Sequence, residues 1–241
     1  MNKYHQEILK EIKGIKRKWP ASQVVFVKHY LGTDKEYYPL KAEDSKKIAR
    51  QFFKKHPEIS SKELFAVVDS LFGGKTHQEM CLAGRLLNLA SVRLMKDFDP
   101  HFLEKWLSRT VGWCEVDSLC SSNFTAEQIL GKWKEWGSLL DKFSRDKNIH
   151  KRRASLVLLV RATRESADPR LAKTSFINAE KLKAEKHVLI TKAVSWILRS
   201  LIKNHKLEVA DYLKKNKDSL PRIAVRETQI KLATGRKTKR K

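Results

Sequence analysis

The feature that most constrains this chain is how rarely it is punctuated. Its 241 residues include only 9 glycines and 6 prolines, the two residues that most often interrupt regular backbone. Between them run long stretches in which apolar residues return every three or four positions. That is the period of an amphipathic helix, not of a strand. Helix start signals recur with it. Ser60-x-x-Glu63, Thr76-x-x-Glu79 and Thr125-x-x-Gln128 have the form of capping boxes, in which two side chains satisfy the first free N–H groups reciprocally. Asp99-Pro100 and Asp168-Pro169 each set a capping acid before a first-turn proline. Together these signals predict about eleven helices, at roughly 3–17, 43–55, 61–72, 76–95, 100–107, 111–120, 126–144, 147–163, 169–182, 185–203 and 206–233, the last broken near Pro221. Segment 22–31 contains VVFV, which suits a strand, but in so helical a chain it is read as a short helix.

The start signals are also spaced. Ser60 to Asp99 and Thr125 to Asp168 are each about 40 residues apart, with two helices per interval, which is the period of HEAT-type repeats. The expected fold is all-α: a HEAT-like helical-repeat solenoid, an α-α superhelix with a concave basic face. It is expected to form a single domain over 1–234, followed by a disordered basic tail at 235–241. A globular helical bundle is the alternative that period alone leaves open.

Lys and Arg total 51 against 27 acids, a formal net charge of +24. Solubility requires far less. Such an excess implies a polyanionic partner, nucleic acid first and an anionic membrane surface second. The three cysteines, Cys81, Cys114 and Cys120, are odd in number and form no CxxC. They argue against a disulfide framework or a zinc site and read as buried thiols of a reducing compartment. The charged N-terminal stretch lacks a signal-peptide core. The longest aliphatic run, Leu156 to Val160, is far too short to span a bilayer. The expected location is therefore intracellular, cytoplasmic and nucleoid-associated. Glycine-rich phosphate loops, HExxH and GxSxG do not occur, so those enzyme classes lose their usual markers.

Three stretches carry the candidate chemistry. On a helix over HVLITKAVSWILRSLIKN, Ile190, Val194, Ile197 and Leu201 form the inward stripe, and Lys192, Trp196, Arg199 and Lys203 the opposite one. A tryptophan among cations suits a DNA backbone, with the ring on a sugar or base and the cations on phosphates. Packing of Trp196 on a neighbouring repeat is the alternative. In NIHKRRASLVLLV, Arg153 interrupts the apolar stripe of Ile149, Leu156 and Val160 and needs an anion. His150, Lys151 and Arg152 place positive charge at a helix start, against the helix dipole, which points to phosphate binding. In GWCEVDSLC, Trp113 and Asp117 are i and i+4 and share a helical face. Asp117 has two readings: a structural salt bridge to Arg153, or a catalytic carboxylate that stabilises positive charge developing on a deoxyribose as a base departs.

GWCEVDSLC, NIHKRRASLVLLV and KAVSWILRS, in that order and spacing, resemble the AlkD-type DNA alkylation repair proteins, which are HEAT-like repeat DNA glycosylases. The likeness is best over residues 100 to 205, with a looser match at YLGTDKEYYPLK. The resemblance implies hydrolytic excision of cationic N3- and N7-alkylated purines from duplex DNA, without flipping the base into a pocket. It implies Trp113, Asp117 and Arg153 as the catalytic set. Trp196, His150, Lys151, Arg152, Lys192 and Arg199 are the expected DNA contacts. It implies no metal and no organic cofactor, and a monomer is expected. His150 stands where well-matched members carry an aromatic residue, and Gly112 where they carry a bulkier neighbour of the tryptophan. Two rivals are a noncatalytic module for distorted or branched DNA and a helical-repeat scaffold for an acidic protein.

Overall fold

A computed structural model describes residues 2–238. The chain divides into two compact units, Met1–Leu119 and Cys120–Lys241. Among the described residues no segment forms a strand; one isolated β-bridge joins Glu36 and Thr76. The fold is all-α, as the helical periodicity predicts.

The first unit contains α1 (Lys3–Gly14), α2 (Ala21–Leu31), α3 (Ala42–Lys55), α4 (Ser61–Phe72), α5 (His77–Leu89), α6 (Val92–Met95), α7 (Phe102–Leu107) and α8 (Trp113–Cys120), the last of which ends just past the boundary. The capping boxes at Ser60 and Thr76 form and start α4 and α5. The expected 76–95 helix is interrupted instead of continuous. Ala90 turns extended, and the Ser91 hydroxyl caps a new four-residue helix. At Asp99-Pro100 the carboxylate accepts the His101 N–H at 2.9 Å, so it closes a turn and α7 begins only at Phe102. Segment VVFV is helical, yet it is not buried: Val25, Phe26 and Tyr30 on α2 are each more than 60% exposed, at 67%, 68% and 62%. The core lies where α4 and α5 pack against each other and α5 packs on α3. Leu64, Val68, Leu71 and Phe72 of α4 and Leu82 and Leu86 of α5 are fully enclosed. Each such side chain contributes about 1.5–3 kcal/mol by burial. Trp106 stacks between Phe72 and Phe102.

The second unit contains α9 (Ala126–Gly131), α10 (Trp133–Ser144), α11 (Ile149–Val157), α12 (Leu159–Glu165), α13 (Pro169–Leu182), α14 (Val188–Leu201), α15 (Lys206–Lys215) and α16 (Arg222–Thr234). Thr125 caps α9 through the expected box, and Asp168 caps α13 with Pro169 at its start. The expected 126–144 helix breaks at Lys132, whose φ of −122° and ψ of 42° are not helical. The stretch 147–163 resolves into α11 and α12, separated by Leu158 alone. The last expected helix breaks ahead of Pro221: α15 ends at Lys215, and Pro221, which has no N–H to donate, immediately precedes α16. α14 is the hub and packs against α11, α12, α13, α15 and α16. Its stripe of Ile190, Val194, Ile197 and Leu201 has no solvent exposure.

Gly235 ends α16 in the left-handed conformation, φ +70°, and residues 236–238 continue as bends. The last three residues of the expected basic tail, 239–241, lie outside the described residues. Among the described residues no helix is long and apolar enough to cross a membrane.

Candidate functional site

The first unit presents Trp113 and Asp117 from α8, and the start of that helix is unusually constrained. Gly112 adopts φ +80°, a conformation that costs any side chain strain. A Cβ there would also sit 2.2 Å from the Leu31 carbonyl oxygen. Glycine is required because the loop after α2 runs directly over the start of α8. This accounts for the departure noted at Gly112: a bulkier neighbour has no room. The contact fixes Trp113. Its indole N–H donates to the Tyr30 carbonyl at 2.8 Å, and the Tyr30 ring meets it edge-on at 5.4 Å.

Glu115, which the sequence reading passes over, is the post behind this arrangement. Its carboxylate has no solvent exposure. One oxygen accepts the Thr33 hydroxyl at 3.2 Å and the His77 Nδ1–H at 2.9 Å. The other accepts the Val111 N–H at 2.7 Å and lies 3.9 Å from the Lys35 ammonium. A buried carboxylate is tolerable only with such partners. Glu115 therefore ties the loop after α2, the start of α5 and the start of α8 together. Asp117 lies one turn beyond Trp113 and is partly exposed, while Val116, Leu119 and Cys120 face the core. Trp113 and Asp117 thus do share a face, with Glu115 and Val116 directed inward between them.

On the neighbouring face, His77 and Cys81 of α5 meet Cys114 of α8. His77 Nε2 lies 3.4 Å from the Cys81 sulfur, which lies 3.9 Å from the Cys114 sulfur. The expectation of buried thiols holds for Cys120; Cys81 and Cys114 are partly exposed. The group is electrostatically coupled. Burial opposes the charged form of His77, but its hydrogen bonds to Cys114 and Glu115 outweigh burial and raise its pKa to about 9. The hydrogen bond from Cys81, with help from His77, lowers the Cys114 thiol to about 6 against the effect of burial. Cys81 moves well upward, held protonated by its bond to Cys114 and by burial. One sequence signal for this cluster exists: His77 and Cys81 are i and i+4, so they share a helical face. Nothing in the spacing to Cys114 signals the third member.

The second unit holds the other expected residues. Arg153 is buried, at 4% exposure, and donates from Nη1 to the Leu189 carbonyl at 2.5 Å, joining α11 to the first turn of α14. Arg152 is engaged within the unit. Its guanidinium forks onto Glu185 at 2.7 and 3.0 Å and also donates to the carbonyls of Asp146 and Lys147. The Lys151 ammonium lies 3.3 Å from Asp146 and over the Phe143 ring. His150 is half-buried in the first turn of α11. Trp196 and Arg199 are half-buried on α14, and Lys192 and Lys203 are exposed, as the two-stripe reading of that helix predicts. Arg199 reaches Glu227 of α16 at 3.3 Å, and Ser195 donates to the same carboxylate at 2.6 Å.

The chain is similar to known proteins in two respects. The family described as DNA alkylation repair enzyme matches residues 18–232. A solved structure, described as a predicted DNA alkylation repair enzyme from Enterococcus faecalis, superposes with a TM-score of 0.68 at 16% identity. The match covers 91% of this chain and 99% of that one, and at this identity it shows the all-α helical-repeat fold. No curated protein matches the chain. The family match spans nearly the whole length, and the chain belongs to the DNA alkylation repair enzyme family.

Proposed function

We propose that this protein is a monofunctional DNA glycosylase that releases N3- and N7-alkylated purines from duplex DNA without flipping the base. The observation that carries the reading is the pair on α8: an indole and a carboxylate one turn apart, on a helix start that Gly112 and Glu115 hold rigidly. Alkylation makes the purine cationic, so the glycosidic bond is already weakened. As that bond breaks, its electron pair leaves with the purine and neutralises it. The sugar carbon takes on positive charge, which the Asp117 carboxylate stabilises. A water oxygen then bonds to that carbon and gives up a proton, with Asp117 as the nearby acceptor. Trp113 packs against the deoxyribose. Arg153 belongs to the same catalytic set by resemblance, with a positioning role consistent with its hold on Leu189.

In this reading both units act as a single DNA-binding domain and the protein works as a monomer in the cytoplasm. Trp196 packs on the backbone, and Lys192, with His150, Lys151, Arg152 and Arg199, faces phosphates. Arg152 and Arg199 would exchange their present carboxylate partners for phosphate, so Lys192 carries more of the expected contact.

The test is release of 7-methylguanine from methylated duplex DNA by the wild type and by Asp117→Asn. The variant should lose roughly 100-fold or more in single-turnover rate, the scale of removing one preorganised charge-stabilising group. Equal release by both proteins removes Asp117 from the mechanism. Tight binding of branched DNA with no base release by the wild type would instead make the protein a noncatalytic binding module.

A further inference from the structure

His77 and Cys81 stand one turn apart on α5, and Cys114 is the second residue of α8. Gly84, one turn further along α5, lets the two helices approach: a Cβ there would meet the Ser118 carbonyl oxygen at 2.4 Å. One donor atom from each of His77, Cys81 and Cys114 consequently lies within 4.8 Å of the other two. Two of the three separations are 3.4 Å, nitrogen to sulfur, and 3.9 Å, sulfur to sulfur. A tetrahedral ion with metal–sulfur bonds of about 2.3 Å and metal–nitrogen bonds of about 2.0–2.1 Å requires edges of about 3.6 and 3.8 Å. The sulfurs are nearly twice a disulfide bond length apart, so their spacing suits a shared ion better than a covalent bond.

The surroundings fit the same reading. The other nitrogen of His77 donates to buried Glu115 at 2.9 Å, which fixes the ring with Nε2 toward the two sulfurs. A carboxylate behind a ligating imidazole is the usual outer support of such a ligand. Two thiols and an imidazole are a soft to borderline donor set. Cys81 and Cys114 are only partly buried residues, so the cluster lies nearer the surface than the fully buried Cys120.

We propose that His77, Cys81 and Cys114 bind one zinc ion, with Glu115 orienting His77 and water as the fourth ligand. The ion bridges α5 and α8 and so braces the helix that carries Trp113. This binding is independent of DNA and of the proposed glycosylase activity, so either can fail alone.

The test uses the full chain, reduced and stripped of metal, titrated with Co²⁺ and then with Zn²⁺. The wild type should bind one equivalent of Co²⁺ with the sulfur-to-cobalt charge-transfer and visible bands of a tetrahedral thiolate site, and Zn²⁺ should displace it. Glu115→Gln should weaken Zn²⁺ binding by about 10–100-fold, the usual cost of losing an outer-shell partner. Cys81→Ser and Cys114→Ser, which remove ligands, should each cost more than that. Cys120→Ser, outside the cluster, should bind like the wild type. The proposal is overturned if wild type and Cys81→Ser bind Co²⁺ equally, or if the reduced wild type binds none. It is also overturned if the protein in reducing buffer holds a Cys81–Cys114 disulfide, read as a two-hydrogen mass deficit.

Discussion

Trp113 and Trp196 are both half-buried tryptophans on helices, one in each unit, and the two helices are held by different means. α14 is 14 residues long and packs against five neighbours, so Trp196 rides on a helix fixed by its own apolar stripe. α8 has only 8 residues, a length at which a helix has little stability of its own. Beyond the burial of Val116, Leu119 and Cys120, it is held by backbone approach and by one buried carboxylate. Gly112 touches the loop after α2, Gly84 of α5 touches the Ser118 carbonyl, and Glu115 bonds to three segments. Apolar swaps that conserve volume are tolerated because neighbours repack. A close backbone contact has no such slack, and a buried carboxylate that loses its partners is left with the full cost of its desolvation.

The largest effect should therefore come from the smallest substitution. Gly112→Ala adds one methyl group, but at φ +80° and 2.2 Å from a carbonyl oxygen. The first unit should lose roughly 3 kcal/mol, combining backbone strain with displacement of the loop. Hydrogen exchange should show faster opening of α2 and α8, with protection in α11–α14 retained. Uniform loss of protection across both units would break the distinction between them.

A smaller effect should appear on acidification. Glu79 is buried beside His5 at 2.5 Å and also accepts the Thr76 N–H of its capping box. Burial raises its pKa, but the bonds from His5 and Thr76 outweigh burial and hold it below 4.5. A depressed carboxylate stabilises the fold at pH above its unfolded value and loses that contribution as pH falls through its folded value. The window thus opens at about pH 4.5 and extends downward. Across it α1 and the start of α5 should open before α14, and Glu79→Gln should reduce that pH dependence, leaving the share of Glu7 of α1, whose bonds to His56 and Lys55 also hold it low against burial.

The same contrast decides what the sequence makes legible. Apolar stripes on helices are written at a fixed period, so α14 and its inward face are readable from composition and spacing. Capping boxes are local, and the three at Ser60, Thr76 and Thr125 all form where the sequence places them. Trp113 and Asp117 are legible because they lie one turn apart. Glu115 is not, because nothing local tells a buried carboxylate from an exposed one; its partners Thr33 and His77 lie 82 and 38 residues away. The helix break at Ala90 also escapes the pattern, since no glycine or proline marks it, and there tertiary packing overrides a continuous helical period. The break at Lys132 directly follows Gly131, a local signal that the continuous-helix reading passes over. The exposed apolar face of α2 shows the converse: nothing in the apolar run around Val25 and Phe26 signals that these side chains lie in solvent.

The smallest effect separates cations by their present partners. If Lys192 neutralises a phosphate, Lys192→Ala should weaken duplex binding similarly for all sequences and lower the slope of log affinity against log salt by about 1. Arg152 reads as an equally good ligand from sequence, yet its guanidinium already holds Glu185 and two carbonyls. Any phosphate contact by Arg152 requires giving up a formed ion pair and releasing the Glu185 charge near the same phosphate. Arg152→Ala should therefore change the salt slope by clearly less than Lys192→Ala, while loosening the link between α11 and the segment before α14. Fluorescence anisotropy over a salt series measures both slopes, and equal decreases would mean that the Glu185 pair opens on DNA at little cost.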